Sequence, residues 1–262
     1  MKNSTIKNNK KFLKNISIFV FWILIWQMIY TIIGRDIYVP SPFSVFLTLT
    51  ELIFLSLFWK SVVSSIYRVL AGLILSIFFG IIVGIISSMN AYIHDLIKPL
   101  MIVIKSTPVL SFIIIALIWF SSSNVPIFIC FLMCFPIIWT NVVEGIRQVD
   151  EKLLEMARIY QVKTRIVLKK IYLPSVLPYF SAACITCLGL GWKVGVAAEV
   201  LSHPRNAIGS NLHSAKVYLD SSELFAWTLV VILLSLLFEI IFARIIQQTI
   251  IKKSTMKNIN RE

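Results

Sequence analysis

The residue types able to do acid–base, nucleophilic or metal chemistry are few in this chain and poorly spaced for it. His94, His203 and His213 stand far apart, at no spacing that converges on a metal ion. Cys130, Cys134, Cys184 and Cys187 all lie inside apolar runs. Cys184-x-x-Cys187 has the spacing of a redox or zinc pair, but with no His, Asp or Glu close by it reads as small packing residues. No glycine is followed by lysine, so the chain has no phosphate-binding loop of its own, and Gly189-x-Gly191 lacks the strand context of a dinucleotide site. What remains is charge in apolar surroundings: Arg68, Lys105, Lys193, Glu199 and Glu239. At the centre of a lipid-facing helix an Arg, Lys or Asp costs ~2.5–3.5 kcal/mol on insertion scales, so such residues face protein, a water-filled path or the interface. The sequence therefore predicts no catalytic, cofactor-binding or metal-ligating residue, and a chain that is not an enzyme. Any chemical fuel is consumed on another subunit.

The elements that carry these charges follow from composition. The chain has 262 residues, 58% hydrophobic and 14% charged, with mean hydropathy +0.87. Soluble domains run ~45–50% apolar and ~25% charged, and one core of this size cannot hide the excess. Most of the chain must face lipid. A net charge of +13 in a soluble protein would point to nucleic acid, but here the basic residues gather between apolar stretches and read as orientation in a membrane, with no nucleic-acid partner.

Residues 1–15 form a basic cytoplasmic tail with five lysines. Residues 16–33 carry no charge and end at Gly34-Arg35-Asp36, so they are read as a retained first transmembrane helix. Residues 39–58 are an external loop and interfacial helix: Val39-Pro40-Ser41-Pro42 breaks the chain, and Ser44, Thr48 and Glu51 form one polar stripe beyond it. Residues 59–243 form a transmembrane core with spans at about 61–88, 99–120, 125–143, 175–200 and 224–243 and a cytoplasmic loop at 144–174. Residues 244–262 are a second basic cytoplasmic tail. The expected fold is all-α, multi-pass in the cell membrane, with six transmembrane helices and both termini cytoplasmic. Eighteen basic residues fall in segments assigned inside and four in segments assigned outside. Had 43–58 crossed the bilayer, the basic loop would lie outside.

That loop contains Glu155-Met156-Ala157-Arg158-Ile159-Tyr160-Gln161 and ends at Ile171-Tyr172-Leu173-Pro174. Asp150 is placed to cap a short helix, with Leu153, Leu154 and Ala157 at helical spacing. Taken alone, this is either a docking helix for a partner's groove or a solvated linker.

At these residues the chain resembles the permease subunits of binding-protein-dependent ABC importers, whose signature is a cytoplasmic Glu-Ala-Ala, three residues, Gly, and a Leu-Pro ending thirteen residues later. Glu155, Ala157, Leu173 and Pro174 match; Met156 replaces an Ala, and Gln161 stands at the Gly position, where it must find another bend or adopt a left-handed backbone. The resemblance continues through Pro40-Ser41-Pro42, Trp59-Lys60-Ser61 to Arg68-Val69, Lys98-Pro99-Leu100, Lys105-x-x-Pro108, the run from Glu144 to Asp150, and Val196-Ala197-Ala198-Glu199. It covers about residues 39–245 and is nearest the nitrate/sulfonate/taurine type.

The resemblance implies a type-1 importer permease fold. The chain would pair with a second permease copy, as a homodimer or with a sister subunit. Two ABC ATPase subunits would grip the 144–174 loop, and an extracytoplasmic solute-binding protein would deliver the solute. Glu155, Met156, Ala157 and Gln161 would form the coupling helix, and Leu173-Pro174 would stop it and launch the fifth span. The implied solute is a small anion such as a sulfonate, taurine or nitrate; the same role for an uncharged or heterocyclic vitamin precursor stays open. A self-contained secondary transporter is the rival, and it would need an ion-coupling site and often an internal repeat. Lys193, Lys105, Arg68 and Glu199 are the candidate path or intramembrane charges. Arg68 and Glu199 sit near the outer ends, where snorkelling is expected, and Lys193 lies deeper, in the path or ion-paired with Glu199 or Glu239. Gly80-x-x-x-Gly84 and Gly191-x-x-x-Gly195 are candidate helix-packing sites, within the subunit or at a dimer seam.

Overall fold

Uncharged runs of leucine, isoleucine and phenylalanine leave peptide groups that lipid cannot satisfy, so each run must close its hydrogen bonds internally as a helix. The structure, a computed structural model, describes residues 2–259. The side chains of 1–13, 15, 242, 243 and 245–259 lie outside the described residues, and with them nearly all the charges of both basic tails. Among the described residues the α-helices are, in order, α1 Lys2–Ile33, α2 Pro42–Phe54, α3 Ser56–Met89, α4 Ala91–Ser106, α5 Val109–Trp119, α6 Val125–Arg147, α7 Glu151–Ile159, α8 Thr164–Val167, α9 Leu173–Ser202, α10 Ile208–Val217 and α11 Ser221–Ile259. Leu168–Tyr172 joins α8 to α9 as a π-turn. Among the described residues there is no strand.

Among the described residues, five helices are long and apolar enough to cross a membrane: Ile16–Ile33, Ser56–Met89, Val125–Arg147, Thr164–Ser202 and Ser221–Ile241. A sixth is reached only when α4 and α5 count as one broken span, because they meet at an angle of 103°. The span read over 99–120 is therefore two helices meeting at a corner. Proline explains the corner: the residue before it is pushed out of the helical region, and Thr107 is extended at ψ 134°. Thr107 closes α4 through its N–H to the Val103 carbonyl, and α5 restarts at Val109. Pro126 occupies a first turn, where no N–H is missed, while α6 and α9 continue through Pro136 and Pro178.

Two compact units divide the chain. One comprises Met1–Trp59 with Asn211–Val231. Here Ser41 caps α2 by accepting the Ser44 N–H at 3.0 Å, with Pro42 beginning the helix. Trp26 donates its indole N–H to the Pro40 carbonyl and stacks on Phe225, and Phe58 stacks on Trp227. Ser221 donates to the Ile37 carbonyl. Ile16–Ile33 has no buried residue, as expected of a helix surrounded by lipid.

The second unit, Lys60–Ser210 with Ile232–Glu262, holds the main core. Within it α6 and α9 pack extensively against each other. All four cysteines are buried and free. Cys134 donates to the Cys187 carbonyl at 3.4 Å, Cys187 to the Cys134 carbonyl at 3.6 Å, and Cys130 to the Val69 carbonyl at 3.3 Å. These bonds join α6 to α3 and to α9. Along α3, a Cβ added at Gly72, Gly80 or Gly84 would fall 2.5 Å from the Ile127 carbonyl, 2.6 Å from Ile138 or 2.8 Å from Val142, so α3 lies directly on α6. Gly191 and Gly195 abut Cys130 and Val69 in the same way. Both small-residue pairs thus pack inside the subunit.

Candidate functional site

Asp150 opens α7 by accepting the Lys152 N–H at 2.9 Å. Ala157 is the one buried residue of the helix and fixes its inner face. Leu153, Met156, Ile159 and Tyr160 are 42%, 51%, 78% and 75% exposed, which is a continuous apolar stripe turned outward. Glu155 is exposed beside it. Among the described residues nothing covers this stripe on a nine-residue helix.

The helix ends in a Schellman motif: Val162 donates to the Ala157 carbonyl at 2.9 Å, and Gln161 donates to the Arg158 carbonyl at 3.0 Å. Glycine usually occupies the position filled here by Gln161, whose φ is +52°. The sharp turn is thus made in the left-handed region without glycine, at a cost of ~1–2 kcal/mol. Leu173 and Pro174 launch α9 but do not end the preceding helix, which runs unbroken from Thr164. The proline ring would clash with the carbonyl four residues back, and the π-turn widens the helix there, Leu173 donating to Leu168.

The intramembrane charges separate into two kinds. Arg68 and Glu199 do not snorkel: they are 7% and 1% exposed and paired at 3.0 Å. The guanidinium also donates to the Asn206 and Arg205 carbonyls at 3.2 and 2.8 Å, while the carboxylate accepts from Ser65 at 2.8 Å and the Gly209 N–H at 3.1 Å. Ser65 in turn accepts the Ile208 N–H at 3.0 Å. Gly209 lies so close that a Cβ there would stand 2.4 Å from that of Glu199. This network clasps the 203–209 turn, where His203 and Asn206 also have positive φ. Sequence spacing could not reveal it, because its members come from α3, α9 and the turn after α9.

Lys193 is of the other kind. It has no ion pair among the described residues, and Glu199 is committed to Arg68 rather than to it. The helix α9 is otherwise largely buried, yet Ala182, Thr186, Lys193 and Ala197 are exposed along one face. These four residues are smaller or more polar than the isoleucine and phenylalanine presented by α1 and α3. Lys105, exposed near the end of α4, donates to Thr140 of α6 at 2.9 Å. Glu239 is exposed on α11.

Comparison with known proteins agrees with this architecture. The profile of the family described as "binding-protein-dependent transport system inner membrane component" matches residues 76–253, more than half of the chain. An aliphatic sulfonates transport permease protein of Bacillus subtilis, SsuC, is 26% identical over 88% of this chain and 83% of its own. The nitrate import permease protein of Synechococcus elongatus, NrtB, is 27% identical over 76% of each. Among solved structures, the inward facing MetNI methionine ABC transporter matches with a TM-score of 0.57 over 72% of this chain and 96% of that one, at 15% identity, which speaks to the fold alone.

Proposed function

The chain belongs to the binding-protein-dependent transport system inner membrane components, and from that premise we propose how its parts divide the work of an ABC importer permease. The permease is an integral, multi-pass subunit of the cell membrane and is not itself an enzyme. In our reading α7 is the coupling helix. The observation that carries this is the outward apolar stripe of Leu153, Met156, Ile159 and Tyr160, on a helix capped at both ends and anchored by Ala157. Its chemistry suits a hydrophobic cleft on an ATPase subunit, and Gln161 holds the angle at which it is offered. ATP hydrolysis there would rock the spans between inward- and outward-facing states while an external binding protein supplies solute.

Both termini and the 144–174 loop face the cytoplasm in this proposal, following the basic-residue bias. Two copies meet across the small, polar face of α9, so that Lys193 and its twin line the path. The solute is a small anion of the sulfonate, taurine or nitrate class, a reading favoured by the unpaired lysine and by the names of the relatives.

Uptake of labelled solutes by cells bearing the full transporter tests both parts. Met156→Asp or Glu155→Trp should cut uptake at least tenfold with the permease still in the membrane and ATPase co-purification weakened; unchanged uptake overturns the docking role. Lys193→Gln should raise the KM for an anionic solute several-fold, with Lys193→Arg intermediate. An effect on protein yield alone would make Lys193 a structural residue.

A further inference from the structure

Beside the coupling helix, α4 and α6 enclose a cleft of about 250 Å³ whose lining includes Lys98, Lys105, Arg147, Glu144, His94 and Trp139. Lys98 and Lys105 are seven residues apart on one face of α4, and Arg147 stands in the last turn of α6. None of the three cations has a carboxylate within ion-pair distance among the described residues. Lys105 donates to Thr140, and Glu144 accepts the Gln148 amide at 2.9 Å, which ties up one of its oxygens. His94 faces Asp95 at 3.1 Å, outside the cleft lining. Three positive charges thus oppose one negative charge in a concave, partly apolar space, which concentrates anions.

The floor is built rather than incidental. Trp139 is 5% exposed, held by its N–H to Ser87 at 3.0 Å and stacked on the buried His94 ring at 5.5 Å, and it packs with Met101 and Val143. The two lysines and the arginine all line the cleft over this packed floor, with no carboxylate paired to any of them among the described residues.

We propose that this cleft binds an anionic oxygen group, the sulfonate, sulfate or phosphate chemistry that Lys and Arg recognise together. Arg147 precedes the α7 cap, Asp150, by three residues, so an occupant would neutralise the arginine at the C-terminal end of α6, from which the coupling segment departs. The same oxygens come from a free anion or from a lipid headgroup. The site is separate from Lys193, and its failure would leave the permease role intact.

Lysine-reactivity footprinting on the full chain in nanodiscs tests the proposal, with an amine-reactive reagent read out residue by residue by mass spectrometry. In phosphatidylcholine discs, sodium sulfate should slow labelling of Lys98 and Lys105 at least fivefold relative to sodium chloride at matched ionic strength, with Lys193 and Lys216 unaffected; this outcome assigns a free anion. Protection without added sulfate in phosphatidylglycerol discs assigns a headgroup, and either result supports the site. Arg147→Gln should abolish the protection while leaving the labelling of Lys193 unchanged. Equal labelling of Lys98 and Lys105 in sulfate, chloride and phosphatidylglycerol overturns the proposal, as does protection that persists in Arg147→Gln.

Discussion

Removing the Arg68 guanidinium while Glu199 remains would strand a carboxylate that is 1% exposed, together with two backbone carbonyls that it now satisfies. Breaking one side of a buried pair typically costs ~3–5 kcal/mol. Arg68→Ala should therefore lower the thermal midpoint and membrane yield severely, and Arg68→Met combined with Glu199→Gln should recover part of the loss. Thermal melting of the detergent-solubilised chain reads both. Equal melting for Arg68→Ala and the native chain would show that the pair is dispensable. At Gln161 the sign reverses. Its φ of +52° is one that glycine adopts without steric cost, so Gln161→Gly should stabilise the end of α7 by about 1 kcal/mol and slow hydrogen exchange at Gln161 and Val162. The loop sequence already states the conflict, since a glutamine sits where a tight turn is wanted. The arginine–glutamate pair was not legible in that way: 131 residues separate its members, and each alone looks like an interfacial snorkel.

At the scale of elements, the contact of α3 with α6 depends on what α3 lacks. The Gly80 and Gly84 pair is visible in the sequence because its spacing repeats on one helical face, whereas Gly72 stands two turns earlier and attracts no notice. Yet a Cβ at Gly72 would press within 2.5 Å of a backbone oxygen, which cannot move aside as a side chain can. Gly72→Ala should destabilise the fold by ~1–3 kcal/mol, while Gly189→Ala, with nothing within 4 Å of the added methyl, should leave melting unchanged or slightly raised. Comparable loss at both positions would contradict the close approach of α3 to α6. The capped helix at 151–159 could be read from Asp150 and the apolar spacing. The π-turn before Pro174 could not, because a proline signals a disturbance without saying whether the helix breaks or widens. Pro108 and Pro174 illustrate the two outcomes, a corner in one case and a continuous helix in the other.

For the molecule as a whole, apolar content and run length made the membrane-spanning character plain, and the basic bias supplies an orientation that labelling can check. A cysteine placed at Lys152 should react with an impermeant maleimide only from the cytoplasmic side, and one at Lys216 only from the exterior; the reverse pattern would invert the topology and remove α7 from any ATPase. The apolar runs locate the spans without fixing how sharply a proline within them turns the helix. The 103° corner between α4 and α5 is where run length misleads. It also has a consequence of its own. Hydrocarbon offers nothing to the peptide groups released where a helix stops and turns. Wherever that elbow sits across the bilayer, acyl chains must be kept off it by moisture, by headgroups or by a neighbouring polypeptide, so its position marks a spot that greasy solvent never touches.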